Sequence, residues 1–317
     1  MKKIHTILSV AIAATVGLQL GLAGHVLAEG SGSSTGGAST AGSKAAPAAA
    51  SSHADSIYKS ALLLLSSSAK LPEAIQYLNS NIYAVSPYQA TVLTLKLENL
   101  HKAALKAWES KFSSSITQRK LTSVYKAGVS MAKLAESTED VSLRSLLKSA
   151  GESGYKLETA EGSFFPVIDY ASYRKYKLYV TNDIRDYISI MGTEADLPPS
   201  KDNGLIISWG DVAARALAHE QFIQSYPTSN RISSVKTLYS TYVINTFYGQ
   251  NNTPLFHYDN LEMDLEAQKA YSSILSKNTG SSPFLQKLEG FMKLMKENDY
   301  KLDDGVKQYL KTEAPLS

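Results

Sequence analysis

The sequence predicts an all-α fold, and three observations carry that expectation. From Asp55 onward apolar residues recur every three or four positions, the spacing of one helical face. Runs of strict alternation are rare, and Ile206-Ile207 and Leu178-Tyr179-Val180 are too short to support a sheet. All nine prolines after residue 54 fall at predicted helix starts, ends or loops, where the cost of about 3 kcal/mol for an interior proline is avoided. An α+β arrangement is the alternative.

The first element is not part of the fold. Lys2 and Lys3 precede an apolar run from Ile7 to Leu22, and Val26-Leu27-Ala28 then places small residues before Glu29. This is the pattern of a secretory signal peptide over 1–28, cleaved after Ala28. The run is interrupted by Gly17, Gln19, Gly21 and Gly24 and is shorter than the roughly 20 residues a membrane span needs. The expectation is therefore a secreted, extracytoplasmic chain with no integral membrane segment after cleavage. Residues 29–54 contain 23 Gly, Ser, Ala, Thr or Pro out of 26, too little apolar surface to offset the entropy of ordering. They read as a disordered tail, a tether or a spacer.

The helices follow in order. Ser56 can cap a helix carrying Ile57, Ala61, Leu64 and Leu65, and Pro72 opens Glu73–Ile82. Ser86-Pro87 opens the longest pattern, 87–112. Its expected buried stripe is Val92, Leu95, Asn99 or Leu100, Ala103, Ala107 and Trp108, with Lys96, Glu98, Lys102 and Lys106 outward. One helix is expected over 114–136 and another over 139–150, with Gly151 and Gly154 as punctuation. These would form an N-terminal bundle over 55–151. A C-terminal helical region over 152–317 follows, continuous with it or separate. After a break at Gly162–Pro166, Thr181 can cap a helix through Met191, and Leu197–Gly204 is a loop. Helices are expected at 208–225 and 229–248, then near 261–277, 283–297 and 304–312.

Without the signal, and with Glu29 and Lys44 cancelling in the tail, the folding part carries a net charge of about +1. That is not the basic footprint of a nucleic-acid binder. Zero cysteines exclude disulfides, thiolate metal ligands and cysteine nucleophiles.

Two resemblances add to this reading. Ala218, Phe222-Ile223, Tyr226-Pro227 and Ser229, followed by Val235, Leu238 and Tyr239, look like the helix-turn-helix of tetratricopeptide-like proteins. The resemblance covers residues 208–248 and implies a helical hairpin, so the fold class becomes a helical bundle followed by tetratricopeptide-like helical hairpins. One unit is found, with no second copy at a period near 34 residues. The chain also resembles uncharacterised secreted proteins of spore-forming Gram-positive bacteria, in Asn81–Thr91, Gly154–Gly162 and Asn182–Ile188. That resemblance implies an envelope or extracellular setting and no functional residues.

Candidate sites are few. His219-Glu220 lacks the second histidine four residues on that a zinc protease needs, since position 223 is Ile. His101, His219 and His257 are too scattered to nominate a metal site, so no metal and no cofactor are expected. Asp183, Asp186, Glu194 and Asp196 cluster near the Pro198-Pro199 loop, and Asp183 and Asp186 fit a helix first turn. No nucleophile elbow or phosphate loop is present. The binding candidate is the ribbon Tyr170, Tyr173, Arg174, Tyr176 and Tyr179, whose rings could stack on sugars or partner side chains. On an α-helix a spacing of three drifts by about 60° per step, so the four rings would not share one face. Packing between helices is the competing reading. The expected function is an exported, non-catalytic binding or scaffold protein, with protein or cell-wall glycan as partner. The alternatives are a wall-active hydrolase using Asp183, Glu194 or Glu161, and a structural envelope or spore protein without a specific ligand.

Overall fold

A computed structural model describes residues 46–278 and 281–316, with side chains from residue 52 onward. The expected signal peptide and most of the expected tail lie outside the described residues. The last part of that tail is helical, because α1 runs over Ala46–Leu64. The reason lies in composition: the glycines end at Gly42, and the Ala-rich segment that follows has the highest intrinsic helix propensity.

The all-α fold is confirmed. After α1, a 3-10 turn at Ser68–Lys70 leads into α2 (Leu71–Asn81), with Pro72 in its first turn. A second 3-10 turn, Ile82–Ala84, precedes α3 (Pro87–Phe112). The α3 start is a reciprocal capping box: the Gln89 amide donates to Ser86 Oγ at 3.3 Å, and the Ser86 amide donates to Gln89 Oε1 at 3.1 Å. The single helix expected over 114–136 is instead two, α4 (Ser115–Val124) and α5 (Met131–Glu136). Tyr125 is extended, Gly128 turns the chain at φ +74°, and Ser130 caps the restart. Asp140 caps α6 (Val141–Glu152).

A β-hairpin follows that helical periodicity did not anticipate. Strands β1 (Tyr155–Ala160) and β2 (Ser163–Ile168) pair antiparallel, with Leu157 opposite Pro166. Glu161 and Gly162, at φ 49° and 74°, form the two-residue turn, whose double positive φ matches the right-handed twist of paired strands. A 3-10 helix, Tyr170–Tyr176, leads to α7 (Asn182–Asp196). Two small hairpins, β3–β4 (Ser200–Lys201, Gly204–Leu205) and β5–β6 (Gly249–Gln250, Thr253–Pro254), are joined through Asn252 N to Asn203 O and Leu205 N to Thr253 Oγ1. Between them α8 (Trp209–Ser225) and α9 (Ile232–Tyr248) form the expected helical hairpin about Tyr226-Pro227. Helices α10 (Leu265–Lys277), α11 (Pro283–Glu297) and α12 (Asp304–Glu313) complete the chain.

From Ala48 on, the described residues pack as one unit around two main cores. The first runs from Ala61 to Ile188 and includes Leu71, Leu93, Phe112, Leu147 and Ile184. The second runs from Ile207 to Ala314 around Trp209, Phe247, Phe284 and Phe291. Tyr187, Phe222 and Val235 form a small apolar cluster of their own, drawn from α7, α8 and α9. The packing therefore changes at the 197–207 loop and not at residue 151, because the β1–β2 hairpin and α7 bury their apolar faces in the first core.

Gly249 ends α9 at φ +71°, and a Cβ there would overlap Thr253 O and approach Leu255 N to 2.8 Å and the Trp209 ring to 2.9 Å. Gly128 has a similar φ with nothing within 4 Å. Gly128→Ala is expected to cost about 1–2 kcal/mol, the left-handed penalty alone. Gly249→Ala should cost about 3–5 kcal/mol because two of its neighbours are backbone. Urea unfolding measures both, and equal losses would show that the β5–β6 turn can yield.

Candidate functional site

The tyrosine ribbon is placed by its backbone. A 3-10 helix has 3.0 residues per turn, so positions i and i+3 eclipse. Tyr170, Tyr173 and Tyr176 therefore share one face of the Tyr170–Tyr176 helix, contrary to the drift expected for α-helical geometry. That face points inward. Tyr173 and Tyr176 are 2% and 1% exposed, and their rings meet edge-to-face with centroids 5.9 Å apart. Tyr176 Oη donates to Asn79 Oδ1 at 2.8 Å, and Tyr173 Oη lies 2.6 Å from His101 Nδ1. Tyr170 and Tyr179 are half-buried against the first core. Arg174 is exposed, but both its terminal nitrogens bind the Asp196 carboxylate. No open groove runs along these five residues: Tyr173 and Tyr176 are core packing elements, Tyr170 and Tyr179 are half-buried, and Arg174 is exposed.

What the ribbon reaches is a buried carboxylate that the helical wheel put on the surface. Glu98, in the middle of α3, is 2% exposed. Its Oε1 accepts from Tyr170 Oη at 2.8 Å and Tyr187 Oη at 2.6 Å, and Lys102 Nζ sits 2.7 Å away. Its Oε2 accepts from Arg231 Nε at 2.6 Å, while Arg231 Nη2 donates to Asn99 Oδ1 at 2.8 Å. Burial acts to raise the Glu98 pKa, but the Arg231 guanidinium and the Lys102 ammonium outweigh it, aided by Tyr187, and hold it below the usual value. A carboxylate kept ionised and saturated by four donors is a clamp, not a proton donor. The buried face of α3 is accordingly Leu93, Leu97, Glu98, His101 and Ala104, adjacent to the stripe expected from Val92 to Trp108.

His101 extends the network. Its ring packs on Tyr155 and Tyr173, Tyr155 Oη donates to its carbonyl at 2.8 Å, and Nε2 faces the Ser153–Gly154 backbone without a hydrogen bond of normal geometry. Burial lowers its pKa to about 4. His219 repeats this in the second half: buried, edge-on to Tyr242, with Nδ1 unpartnered and its pKa lowered to about 4 by burial and by nearby Arg215. Both histidines are buried, each 1% exposed.

The acidic cluster disperses among separate partners. Asp183 accepts from Thr181 and Ser229, and Asp186 from Arg185 and Tyr226, tying α7 to the α8–α9 turn. Glu194 accepts from Tyr242 Oη at 2.8 and 2.7 Å and from Arg215 at 3.3 Å; burial raises its pKa despite these partners. Glu161 occupies the β1–β2 turn, exposed. Glu220, beside His219, accepts from the Phe284 amide at 2.9 Å and from the Ser282 hydroxyl, and so holds the start of α11. Among the described residues no group of three or more His, Asp and Glu is placed to hold a metal ion, and no helix is long and apolar enough to cross a membrane.

Two of the clefts formed by the described residues open to solvent. One, of about 340 Å³, lies between the start of α7 and the Tyr226–Asn230 turn, lined by Asn182, Asp183 and Ser229. The other, of about 490 Å³, lies between α1 and the start of α3, lined by Ala54, Asp55, Tyr58, Ser86, Tyr88 and Gln89. Tyr88 is 72% exposed, and Tyr83, five residues earlier, 68%. The sequence signal for this cleft was available in the run Tyr83–Gln89, but the partner residues Asp55 and Tyr58 are brought to it only by packing of α1.

Removing one partner of a buried, hydrogen-bonded ion pair costs about 3–5 kcal/mol, and Glu98→Gln and Arg231→Ala are each expected to fall near that range. The double variant should lose less than the sum of the two by about 1–3 kcal/mol; strict additivity would show no coupling between them. Both histidines have folded pKa values below the ordinary 6.5, so their stabilisation is complete above pH 6.5 and falls as pH drops toward 4. The loss is about 1.4 kcal/mol per pH unit for each, softened at the acid end by Glu194, whose raised pKa tilts the opposite way. His101→Gln and His219→Gln should each flatten the slope of stability between pH 6.5 and 4.5, whatever their absolute stability. An unchanged slope in both would assign the acid sensitivity elsewhere.

Neither a protein-family model, nor a curated protein, nor a solved structure matches the chain.

Proposed function

We propose that the protein is an exported, non-catalytic binding protein of the cell envelope or extracellular space. Its binding face is the α1–α3 cleft, in place of the tyrosine ribbon. The observation that carries this reading is a contrast between interior and surface. The two carboxylates with perturbed pKa values in the interior are held by other side chains: Glu98 by Tyr170, Tyr187, Lys102 and Arg231, and Glu194 by Tyr242 and Arg215. The α1–α3 cleft is open, and it is lined by Tyr58, Tyr88, Ser86 and Gln89 with one carboxylate, Asp55. One carboxylate supplies no acid/base pair of the kind glycoside cleavage needs, whereas rings beside hydroxyl and amide groups suit binding. The basic n-region, apolar run and small-residue site before Glu29 support export.

Glu194 supports a second reading. Its raised pKa is the property of a general acid, which keeps a wall-active hydrolase as the competing assignment.

The test is co-sedimentation of the full chain with a purified envelope fraction, with the supernatant assayed for released reducing sugar. Binding that saturates without sugar release is expected, from protein whose N-terminus after export is Glu29. Release of sugar that Glu194→Gln abolishes would replace the binding reading with the hydrolase. Absence of sedimentation, or protein retained inside the cell, would overturn the envelope assignment.

A further inference from the structure

We propose that the α1–α3 cleft is a saccharide site, in which a pyranose ring packs against Tyr58 and Tyr88 while its hydroxyls bond Asp55 and the Gln89 amide. This deepens the binding reading and rests on it for the biological setting, though the cleft chemistry stands separately.

The lining decides the ligand class. Tyr58 is half-buried against the first core and so fixed, while Tyr88, at the second position of α3, is 72% exposed. An anchored ring and an open one offer apolar faces of the kind that pack on the axial C–H groups of a sugar. Aromatic side chains in such a position present a large apolar surface with a polar tip. Between them the polar groups are already oriented. Gln89 Nε2 donates to Asp55 Oδ1 at 3.1 Å, and Gln89 Oε1 accepts from the Ser86 amide at 3.1 Å and from Ser86 Oγ at 3.2 Å. These bonds fix the Asp55 and Gln89 side chains before a ligand arrives, which lowers the ordering cost of binding. They also leave capacity: Asp55 Oδ2 and the second Gln89 Nε2 hydrogen remain, and a carboxylate accepts about four bonds.

Other ligand classes fit less well. No lysine or arginine lines the cleft, so a phosphate or carboxylate ligand would meet Asp55 without a compensating cation. A lipid chain would meet the polar groups of Asp55, Ser86 and Gln89 in the lining. A neutral polyhydroxylated ring satisfies both halves of the lining, and about 490 Å³ lies within the range of about 300–1,000 Å³ for small-ligand sites.

The experiment is a titration of the full chain with two soluble probes, the tetramer of N-acetylglucosamine and cellotetraose, followed by calorimetry. Saturable binding of at least one is expected. Tyr88→Ala should weaken it by about 10-fold, the equivalent of one lost aromatic contact, while Tyr88→Phe keeps it and Asp55→Asn weakens it several-fold. Because Tyr88 is exposed, its truncation should leave the thermal midpoint unchanged. Tyr258→Ala, at a tyrosine 73% exposed outside the cleft, should bind as the unaltered chain does. No binding of either probe, or equal binding by Tyr88→Ala, overturns the proposal. If Tyr88→Ala still sediments with envelope as the unaltered chain does, the cleft proposal falls while the envelope reading stands. If the chain binds a probe through Tyr88 but does not sediment, the reverse holds.

Discussion

One buried carboxylate organises this molecule. Glu98 is taken out of water in the middle of α3, a step that costs several kcal/mol for an ion unless its charge is compensated. The compensation comes from four donors: Lys102 one turn along α3, Tyr170 from the 3-10 helix, Tyr187 from α7, and Arg231 from the turn before α9. Lys102 could be supplied by the helix alone. The other three donors require that the 3-10 helix, α7 and the α8–α9 hairpin all reach their final positions. A buried ion pair of this kind adds modest net stability but penalises any arrangement that leaves the charge unpaired. It therefore sets how the α8–α9 hairpin docks on the first core.

The apolar packing follows the same division. The small cluster of Tyr187, Phe222 and Val235 draws on the same helices that the Glu98 network joins. Tyr187 belongs to both, with its ring in the apolar cluster and its hydroxyl on Glu98. Arg231 completes the junction by lying over the Tyr187 ring, 5.8 Å from the centroid, as it binds the carboxylate. Two polar tethers run parallel to it, Ser229 to Asp183 and Tyr226 to Asp186. They explain why the start of α7 carries Asp183 and Asp186 more fully than the helix dipole does, since each carboxylate also fixes the α8–α9 turn. At the other end of α7, Glu194 performs the same joining role through Tyr242 and Arg215.

This use of tyrosine bears on function. The chain has 19 tyrosines and 2 tryptophans, and many of the buried tyrosines place a hydroxyl on a carboxylate, an amide or a carbonyl. Rings at Tyr173, Tyr176, Tyr242 and Tyr271 are spent on the interior, and so are not available to a ligand. Tyr83 and Tyr88 differ: they sit where the chain turns from a 3-10 segment into α3, and they are 68% and 72% exposed. Exposure of a ring at a cleft with fixed polar groups is a different arrangement from a ring buried with its hydroxyl satisfied, and it is the basis for placing recognition at the α1–α3 end.

The sequence alone determined the helical class and most helix boundaries, because 3.6-residue periodicity, proline placement and capping residues are local signals. The helix expected at roughly 87–112 is α3, and those expected near 208–225, 229–248 and 283–297 are α8, α9 and α11 within a few residues. The break at Tyr125 and the β1–β2 hairpin were also locally encoded, in Gly128 and in Glu161-Gly162, but helical periodicity on both sides obscured them. Which face of α3 is buried was not local. Glu98 lies between Lys96 and Lys102 and reads as solvated, although Leu93, Leu97 and Ala104 mark the adjacent buried face. Its burial is compensated by Lys102 and by donors far along the chain, Tyr170, Tyr187 and a guanidinium 133 residues later. The tyrosine ribbon turned inward for a related reason. Whether residues three apart share a face depends on 3.0 or 3.6 residues per turn, and that choice was made by the packing of Tyr173 and Tyr176 against α2 and α3. Periodicity fixes elements one at a time, whereas the pairing of a buried charge and the accessibility of a ring depend on what the rest of the chain places beside them.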